Sequence, residues 1–377
     1  MTERSALLVY ADLRAGGLAV DVRNTANGLV ERGWRVDVAT AAGRGVSGED
    51  LGLADGVELH SLPVPLGGKA IGLASGIRRL IRRGTWDVVH VSSLLPVEMH
   101  TAAMRAAKDS RRTLVWTPMT HPMRERYWGT RARTRPLRLF DRYEAPRGAR
   151  LSDAIAAATE EEAAWFSRLG AELVRVIPPG VEPEEGVGPE RVDAFRRRHG
   201  LSVEPVVLTV AARNEWRKGM DFALEAYRRL RLLIPSARLV SVGPAFDGAP
   251  DGVVATGRLS EEELATAYAA ADVVFVPSRY EAFSRVVIEA WQLETPVVVS
   301  DGVGLRRVVE SLDNPVVAFG DPGGAAERIA SLLDDRALAA KLGRRGSEEV
   351  SRHYLLPEIL DDTVRLYEEA TERSSAA

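Results

Sequence analysis

The chain of 377 residues contains no cysteine. That excludes disulfide scaffolds, thiolate-ligated zinc sites and cysteine nucleophiles, and it fits a reducing compartment. Lysine is nearly absent too. Of 50 basic residues only Lys69, Lys108, Lys218 and Lys341 are lysines. A drift in codon composition toward Arg and Ala explains the scarcity, yet it makes each lysine worth individual attention. No apolar run approaches the roughly 18 residues that span a bilayer. The start, MTERSALLVYADL, lacks a basic leader and a cleavage site, so it reads as mature protein with a cytoplasmic location. Only Arg373–Ala377 reads as disordered.

Net charge is also small, −3, but unevenly spread. Residues 1–178 carry 26 basic and 20 acidic side chains (+6), and 179–377 carry 24 and 33 (−9). A length of 377 residues suits about two domains at roughly 100–200 residues each.

Short β-branched runs alternate with helical patterns throughout. Strands are predicted near Leu7–Tyr10, Arg35–Ala39, Val57–His60, Asp87–Val91, Thr113–Thr117, Asp153–Ala157 and Val174–Ile177. A second series lies near Val206–Val210, Arg238–Val242, Val253–Thr256, Asp272–Val276, Pro296–Val299 and Pro315–Phe319. Apolar runs of this length, bounded by Gly or Pro and separated by helices such as Ala19–Arg32, Met220–Leu233 and Glu261–Ala270, indicate parallel sheets buried on both faces. The order describes α/β doubly wound architecture, twice over. The stretch Pro178–Pro189, with four prolines and three glycines, suits a hinge. Domains are therefore expected at 1–178 and 179–354, facing each other across a central cleft, with a final helix at 355–372 returning to the first.

Gly43-Arg-Gly-Val-Ser-Gly48 matches the dinucleotide fingerprint GxGxxG after a strand. The next strand begins at Val57, leaving eight residues, too few for the helix that the fingerprint opens. No acid follows at the ribose position, where Gly67, Gly68 and Lys69 stand. Nor is there a Walker loop, since Lys69 is followed by Ala70.

Three features follow strand ends in the second half: Arg213-Asn-Glu-Trp-Arg-Lys218-Gly219, Pro277 through Glu289, and Asp301-Gly-Val-Gly304. On one helix, Glu281 and Glu289 would stand about 12 Å apart along the axis and roughly 80° around it. The carboxylates of a glycosidase act across about 5–9.5 Å, so this pair is too spread for that chemistry. It fits a ligand long enough to touch both, with a sugar at one end and a nucleoside ribose at the other. A helix N-terminus expected near Phe283–Arg285 favours phosphate. Arg213 and Lys218 add the fixed positive charge that a diphosphate needs.

With RNEWRKG at 213–219 matching RxxxxKG, and EAFSRVVIE at 281–289 matching E-x7-E, the chain resembles the retaining nucleotide-sugar glycosyltransferases of family 4, which have the GT-B fold. PPGVE at 178–182, EAWQLETPVVVSDGVG at 289–304, Gly16-Gly17 and Thr120-His121 agree, and the likeness covers essentially the whole chain. It implies transfer of a sugar, as a hexosyltransferase, from a UDP- or GDP-linked donor to a hydroxyl acceptor, with a lipid, a saccharide and a secondary metabolite all left open. It further implies that Arg213 and Lys218 neutralise the departing diphosphate, that Glu281 holds donor-sugar hydroxyls, and that Glu289 accepts from the ribose. Phe283, Ser284 and Arg285 would offer backbone amides, Gly16 and Gly17 a close backbone approach, and His121 a contact near the anomeric centre. No cofactor or metal is implied. The family commonly has Gly-Leu where this chain has Ser284-Arg285, and a small-residue-Gly stretch where it has Gln292-Leu-Glu294. These departures bear on donor-sugar identity.

Rival readings are a GT-B phosphorylase or nucleotide-sugar epimerase, and a non-catalytic nucleotide-sugar binder. A phosphorylase would want a pyridoxal-phosphate lysine, and a binder would be expected to lose Glu281 or Arg213. His60, His90, His100, His199 and His353 read as structural or surface groups, and Trp216 and Trp291 as packing. The segment Arg124–Arg150 holds nine Arg against three acids, with Tyr127, Trp128, Phe140 and Tyr143 interleaved. Acceptor or peripheral membrane contact is expected there rather than nucleic acid; a solvated helix pair is the bland alternative. Arg78-Arg79 and Arg82-Arg83 make a milder basic face.

Overall fold

A computed structural model describes residues 4–13, 16–41, 46–62, 71–92, 97–120, 140–184, 186–211, 216–245 and 248–376. The chain divides into two compact units. The first runs to Gly180 and takes back Leu356–Ala377; the second holds Val181–Leu355.

The first unit contains β1 (Ser5–Val9), β2 (Arg35–Thr40), β3 (Val57–Ser61), β4 (Val88–Ser92), β5 (Thr113–Thr117), β6 (Ala154–Ala157) and β7 (Val174–Val176). They form one parallel sheet in the order β3-β2-β1-β4-β5-β6-β7. Side chains alternate between its faces, as the pleat requires. Leu7 and Val9 enter one core with Ile77, Met104 and Trp116. Ala6 and Leu8 enter the opposite core with Val22, Leu29 and Tyr367. Both faces are dry, which is why these strands read as unbroken apolar runs. Between β2 and β3 the only helical element among the described residues is the 3-10 turn Glu49–Leu51, so no crossover helix follows Gly48.

The second unit contains β8 (Val206–Val210), β9 (Arg238–Val242), β10 (Val253–Gly257), β11 (Val273–Val276), β12 (Val297–Ser300) and β13 (Val316–Val317). Its parallel order is β10-β9-β8-β11-β12-β13. Each sheet thus reverses direction once, at β1/β4 and at β8/β11. Such switch points open a crevice beyond the strands' carboxyl ends.

An aspartate pins register at the opposite ends of three strands. Asp87, before β4, accepts the Ser5 N–H at 2.8 Å; Asp153, before β6, accepts that of Leu114 at 2.8 Å; Asp272, before β11, accepts that of Val206 at 2.7 Å.

Two expectations are corrected. β13 is shorter than Pro315–Phe319, because proline has no N–H for the ladder and Phe319 gives its own to Asp301 Oδ1 at 2.9 Å. Residues Arg373–Ser375 are helical rather than disordered, within Leu356–Ala376. Ala370 is fully buried there, and Ser375 Oγ donates back to the Thr371 carbonyl at 2.8 Å.

Candidate active site

The loops after β8 and β11 are stitched together at the switch point of the second unit. After β8, a 3-10 turn at Trp216–Lys218 ends at Gly219, whose φ of 66° starts the helix Met220–Leu233. A Cβ on Gly219 would lie 2.0 Å from the Pro277 carbonyl oxygen, so only glycine lets the two loops approach. The Arg279 N–H donates to the Arg217 carbonyl at 2.9 Å. Its guanidinium lies over the rings of Trp216 (4.7 Å) and of Phe319 (4.5 Å) and pairs with Asp221. Trp216 remains 43% exposed, so it is a stacking surface rather than core packing.

This stitching brings Lys218 Nζ onto Glu281 Oε1 in an ion pair. Glu281 is buried. Burial alone would raise its pKa, but Lys218 and then Arg217 outweigh it and hold the carboxyl below its ordinary value. The Ser284 hydroxyl adds a smaller pull in the same direction, although neither its Oγ nor Glu281 Oε2 reaches a partner in full hydrogen-bonding geometry. Glu281 is therefore a charged, charge-paired group on a loop and not a helix-cap acid.

The loop after β12 braces Glu281 through the backbone. The Glu281 N–H donates to the Gly302 carbonyl at 3.0 Å, and the Gly304 N–H to the Glu281 carbonyl at 2.9 Å. A Cβ on Gly302 would fall 2.3 Å from the Arg279 oxygen, and one on Gly304 would fall 2.0 Å from the Ala282 oxygen. Close approach of backbones is what both glycines serve.

The helix carrying Glu289 spans Arg285–Gln292, with Ser284 at its N-cap. Glu281 thus precedes the helix instead of sharing it with Glu289. The N-terminus of this helix carries the positive end of its dipole and suits an anion; within it the Val287 N–H already donates to the Ser284 carbonyl at 3.2 Å. Phe283 and Ser284 are buried at this end, with the Phe283 ring 5.8 Å from that of Tyr354. Glu289 has two partners: Tyr268 Oη donates to its Oε2 at 2.8 Å, and Arg285 Nε to its Oε1 at 3.1 Å. Arg285 neither stands apart in solvent nor replaces a catalytic group; it pairs with the second glutamate. Trp291 is fully buried, and Gly346 makes room for its indole.

In the first unit, Gly16 adopts φ 105° before the helix Gly17–Glu31. Arg213, His121 and residues 124–139 of the Arg-rich segment lie outside the described residues. Arg142, Arg147 and Arg150 are described. Next to His121, the Thr120 N–H donates to Glu162 Oε1 at 2.5 Å, and Ala158 N–H to Glu162 Oε2 at 2.7 Å. Glu162 is wholly buried; burial pushes its pKa up to about 8, while those two backbone bonds pull it down. Sequence reading does not single out this clamp, although Thr159-x-x-Glu162 is a capping-box pattern. His90 is buried between Tyr367 Oη (2.6 Å) and Thr117 Oγ1 (2.7 Å), and is a structural group.

One set of potential metal ligands occurs among the described residues: Asp37, Glu58 and His60. His60 Nε2 is 2.7 Å from Asp37 Oδ2, and Arg35 Nη1 is 3.5 Å from Asp37 Oδ1, so Asp37 already has two cationic or hydrogen-bonding partners. Among the described residues, no helix is long and apolar enough to cross a membrane.

Comparison with known proteins decides what these two units are. Residues 15–185 match the family described as "Glycosyltransferase Family 4", and residues 192–349 match "Glycosyl transferases group 1". A D-inositol 3-phosphate glycosyltransferase of Xylanimonas cellulosilytica is 30% identical over 96% of this chain and 94% of its own. The chain belongs to glycosyltransferase family 4. Solved structures show the same fold. Sucrose-phosphate synthase from Thermosynechococcus elongatus has a TM-score of 0.81 at 21% identity, covering 100% of both chains. Anabaena Alr3699/HepE, solved with UDP and glucose, has a TM-score of 0.78 at 18% identity, over 96% of this chain and 99% of that one. This family 4 glycosyltransferase therefore has the GT-B fold, and Lys218, Glu281 and Glu289 stand at the switch point of its second Rossmann-like domain.

Proposed function

We propose that the enzyme transfers a sugar from a nucleotide-diphosphate-sugar donor to a hydroxyl acceptor with retention of anomeric configuration. The observation that carries this reading is the Lys218–Glu281 pair, whose carboxylate lies in the loop that leads into Arg285–Gln292; it brings a cation to a carboxylate just ahead, in the chain, of the positive end of a helix dipole. Arg213 and Lys218 neutralise the diphosphate, and the helix N-terminus adds its dipole. Glu281 accepts from hydroxyls of the donor sugar, and Glu289 from the ribose. The bond from the anomeric carbon to the phosphate oxygen breaks, with the electron pair leaving on the diphosphate. The acceptor oxygen bonds to the same face of that carbon, and its proton passes to the departing phosphate oxygen. The family resemblance assigns His121 a contact with the transferred sugar, and Gly16 and Gly17 a close backbone approach to the donor.

The complexes of Anabaena HepE with UDP, glucose and UDP-glucose support a donor of this class. The names of the curated relatives point to an acceptor that carries phosphate, D-inositol 3-phosphate. An anionic acceptor also suits the basic charge of Arg124–Arg150.

The test is a panel of UDP-, GDP- and ADP-linked sugars offered with polyol and sugar phosphates, reading product mass and anomeric configuration by NMR. A product of donor-like configuration is expected. An inverted product contradicts retention, and phosphorolysis or epimerisation without transfer contradicts the reaction class.

A further inference from the structure

We propose that Tyr268 is a positioning residue for Glu289, orienting its carboxylate so that it accepts both hydroxyls of a ribose diol. The inference rests on the assignment of Glu289 to the ribose. Tyr268 belongs to the helix Glu261–Ala269, not to the helix of Glu289, so the contact fixes one element against another. The residue is 2% exposed, and its main-chain carbonyl accepts from Thr295 Oγ1 at 3.0 Å, which anchors it beside the loop that follows the Glu289 helix. From this fixed base the phenol reaches Oε2 at 2.8 Å, while Arg285 Nε reaches Oε1 at 3.1 Å.

The consequence is geometric. A carboxylate oxygen has two acceptor sites. Each oxygen of Glu289 spends one on a protein donor and keeps one, and the side chain remains 23% exposed. Two free acceptor sites, side by side on one planar group, match two hydroxyls on adjacent carbons. Without the phenol the carboxylate could rotate about its last torsion, which is broad and soft. Burial, and next the Glu289 charge, raise the pKa of Tyr268 well above its ordinary value, so the phenol stays a donor. Packing alone asks only for the ring and would be met by phenylalanine.

Calorimetry on the full chain tests this, with UDP and 2′,3′-dideoxy-UDP and the corresponding GDP pair as probes. Wild type should bind the ribonucleotide of its preferred base at least about tenfold more tightly than the dideoxy form, the scale of hydrogen bonds to a charged group. Tyr268→Phe should bring that ratio down several-fold while dideoxy affinity is unchanged. An unchanged ratio in Tyr268→Phe, or equal weakening of both probes, makes Tyr268 a packing residue and overturns the proposal. Glu289→Gln separates the two layers of the claim. If it retains the wild-type ratio, or if wild type shows no preference, the assignment of Glu289 itself fails. Should Tyr268→Phe not fold, Arg285→Leu removes the donor on the other oxygen and must lower the same ratio; an unchanged ratio there overturns the proposal equally.

Discussion

Lys218 and Glu281, 63 positions apart in the chain, meet as a partly buried ion pair at the point where the second sheet reverses its strand order. Lys218 has one oxygen of Glu281 as its partner, and on the proposed mechanism the donor diphosphate competes for the same ammonium. The pair therefore stores the site's positive charge in a fixed place before donor arrives.

Removing Lys218 leaves the buried Glu281 carboxylate uncompensated; for a fully buried pair the cost is about 3–5 kcal/mol, and here, with the Lys218 side chain 20% exposed, about 3 kcal/mol is the upper end. Lys218→Met is expected to destabilise the protein on that scale, with Arg217 offsetting part of it. Adding Glu281→Gln to Lys218→Met should recover stability, because the stranded carboxylate is gone. Denaturant unfolding of the two single variants and the double variant measures this coupling, and simple additivity would contradict it.

Gly304→Ala tests the bracing of Glu281 by backbone alone. Its Cβ would meet the Ala282 carbonyl oxygen at 2.0 Å, a main-chain atom that cannot rotate away as a side chain would. The Glu281 loop must shift, and even a displacement near 1 Å is expected to lower turnover about a hundredfold. Steady-state kinetics beside a melting curve would check it; wild-type turnover would show that the loop tolerates the added carbon.

Acid stability should depend on two buried histidines. Burial lowers the pKa of His100 to about 3 and that of His90 to about 4, from 6.5. Between those values the unfolded chain binds more protons than the folded one. Their contribution is thus complete above about pH 6.5 and is lost as pH falls, by about 2 kcal/mol each at pH 5. His100, against Trp116 at 5.0 Å and without a hydrogen bond on either ring nitrogen, can be replaced by leucine. His100→Leu should lose less stability than wild type between pH 7 and pH 5 in urea titrations. Glu162, with its raised pKa, contributes the opposite slope, but equally in both proteins.

Most of the fold was legible because parallel strands buried on both faces leave an unmistakable trace. All thirteen strands occur where short β-branched runs predict them, and Met220–Leu233 has the bounds its periodicity implies. What escaped was partnership. Spacing sets Lys218 and Glu281 after successive switch-point strands, yet nothing in it says that they touch, since that depends on the close approach at Gly219. Glu281 and Glu289 fit one helix by count, but the Glu281 N–H donates to Gly302 and its carbonyl accepts from Gly304, which holds Glu281 outside it. Tyr268 is not singled out by the sequence, because a hydroxyl aimed across to another helix leaves no mark on hydrophobic periodicity. Glu162 is the opposite case: its capping-box spacing is visible, but its bond to Thr120 is long-range.

The most direct test of fixed-charge stabilisation is the turnover of Arg213→Ala at saturating donor, in protein whose melting temperature is unchanged. If the arginine neutralises charge that develops on the departing diphosphate, kcat should fall a hundredfold or more, on the order of 3 kcal/mol. Wild-type kcat in that folded variant would contradict the role assigned to the basic motif at 213–219.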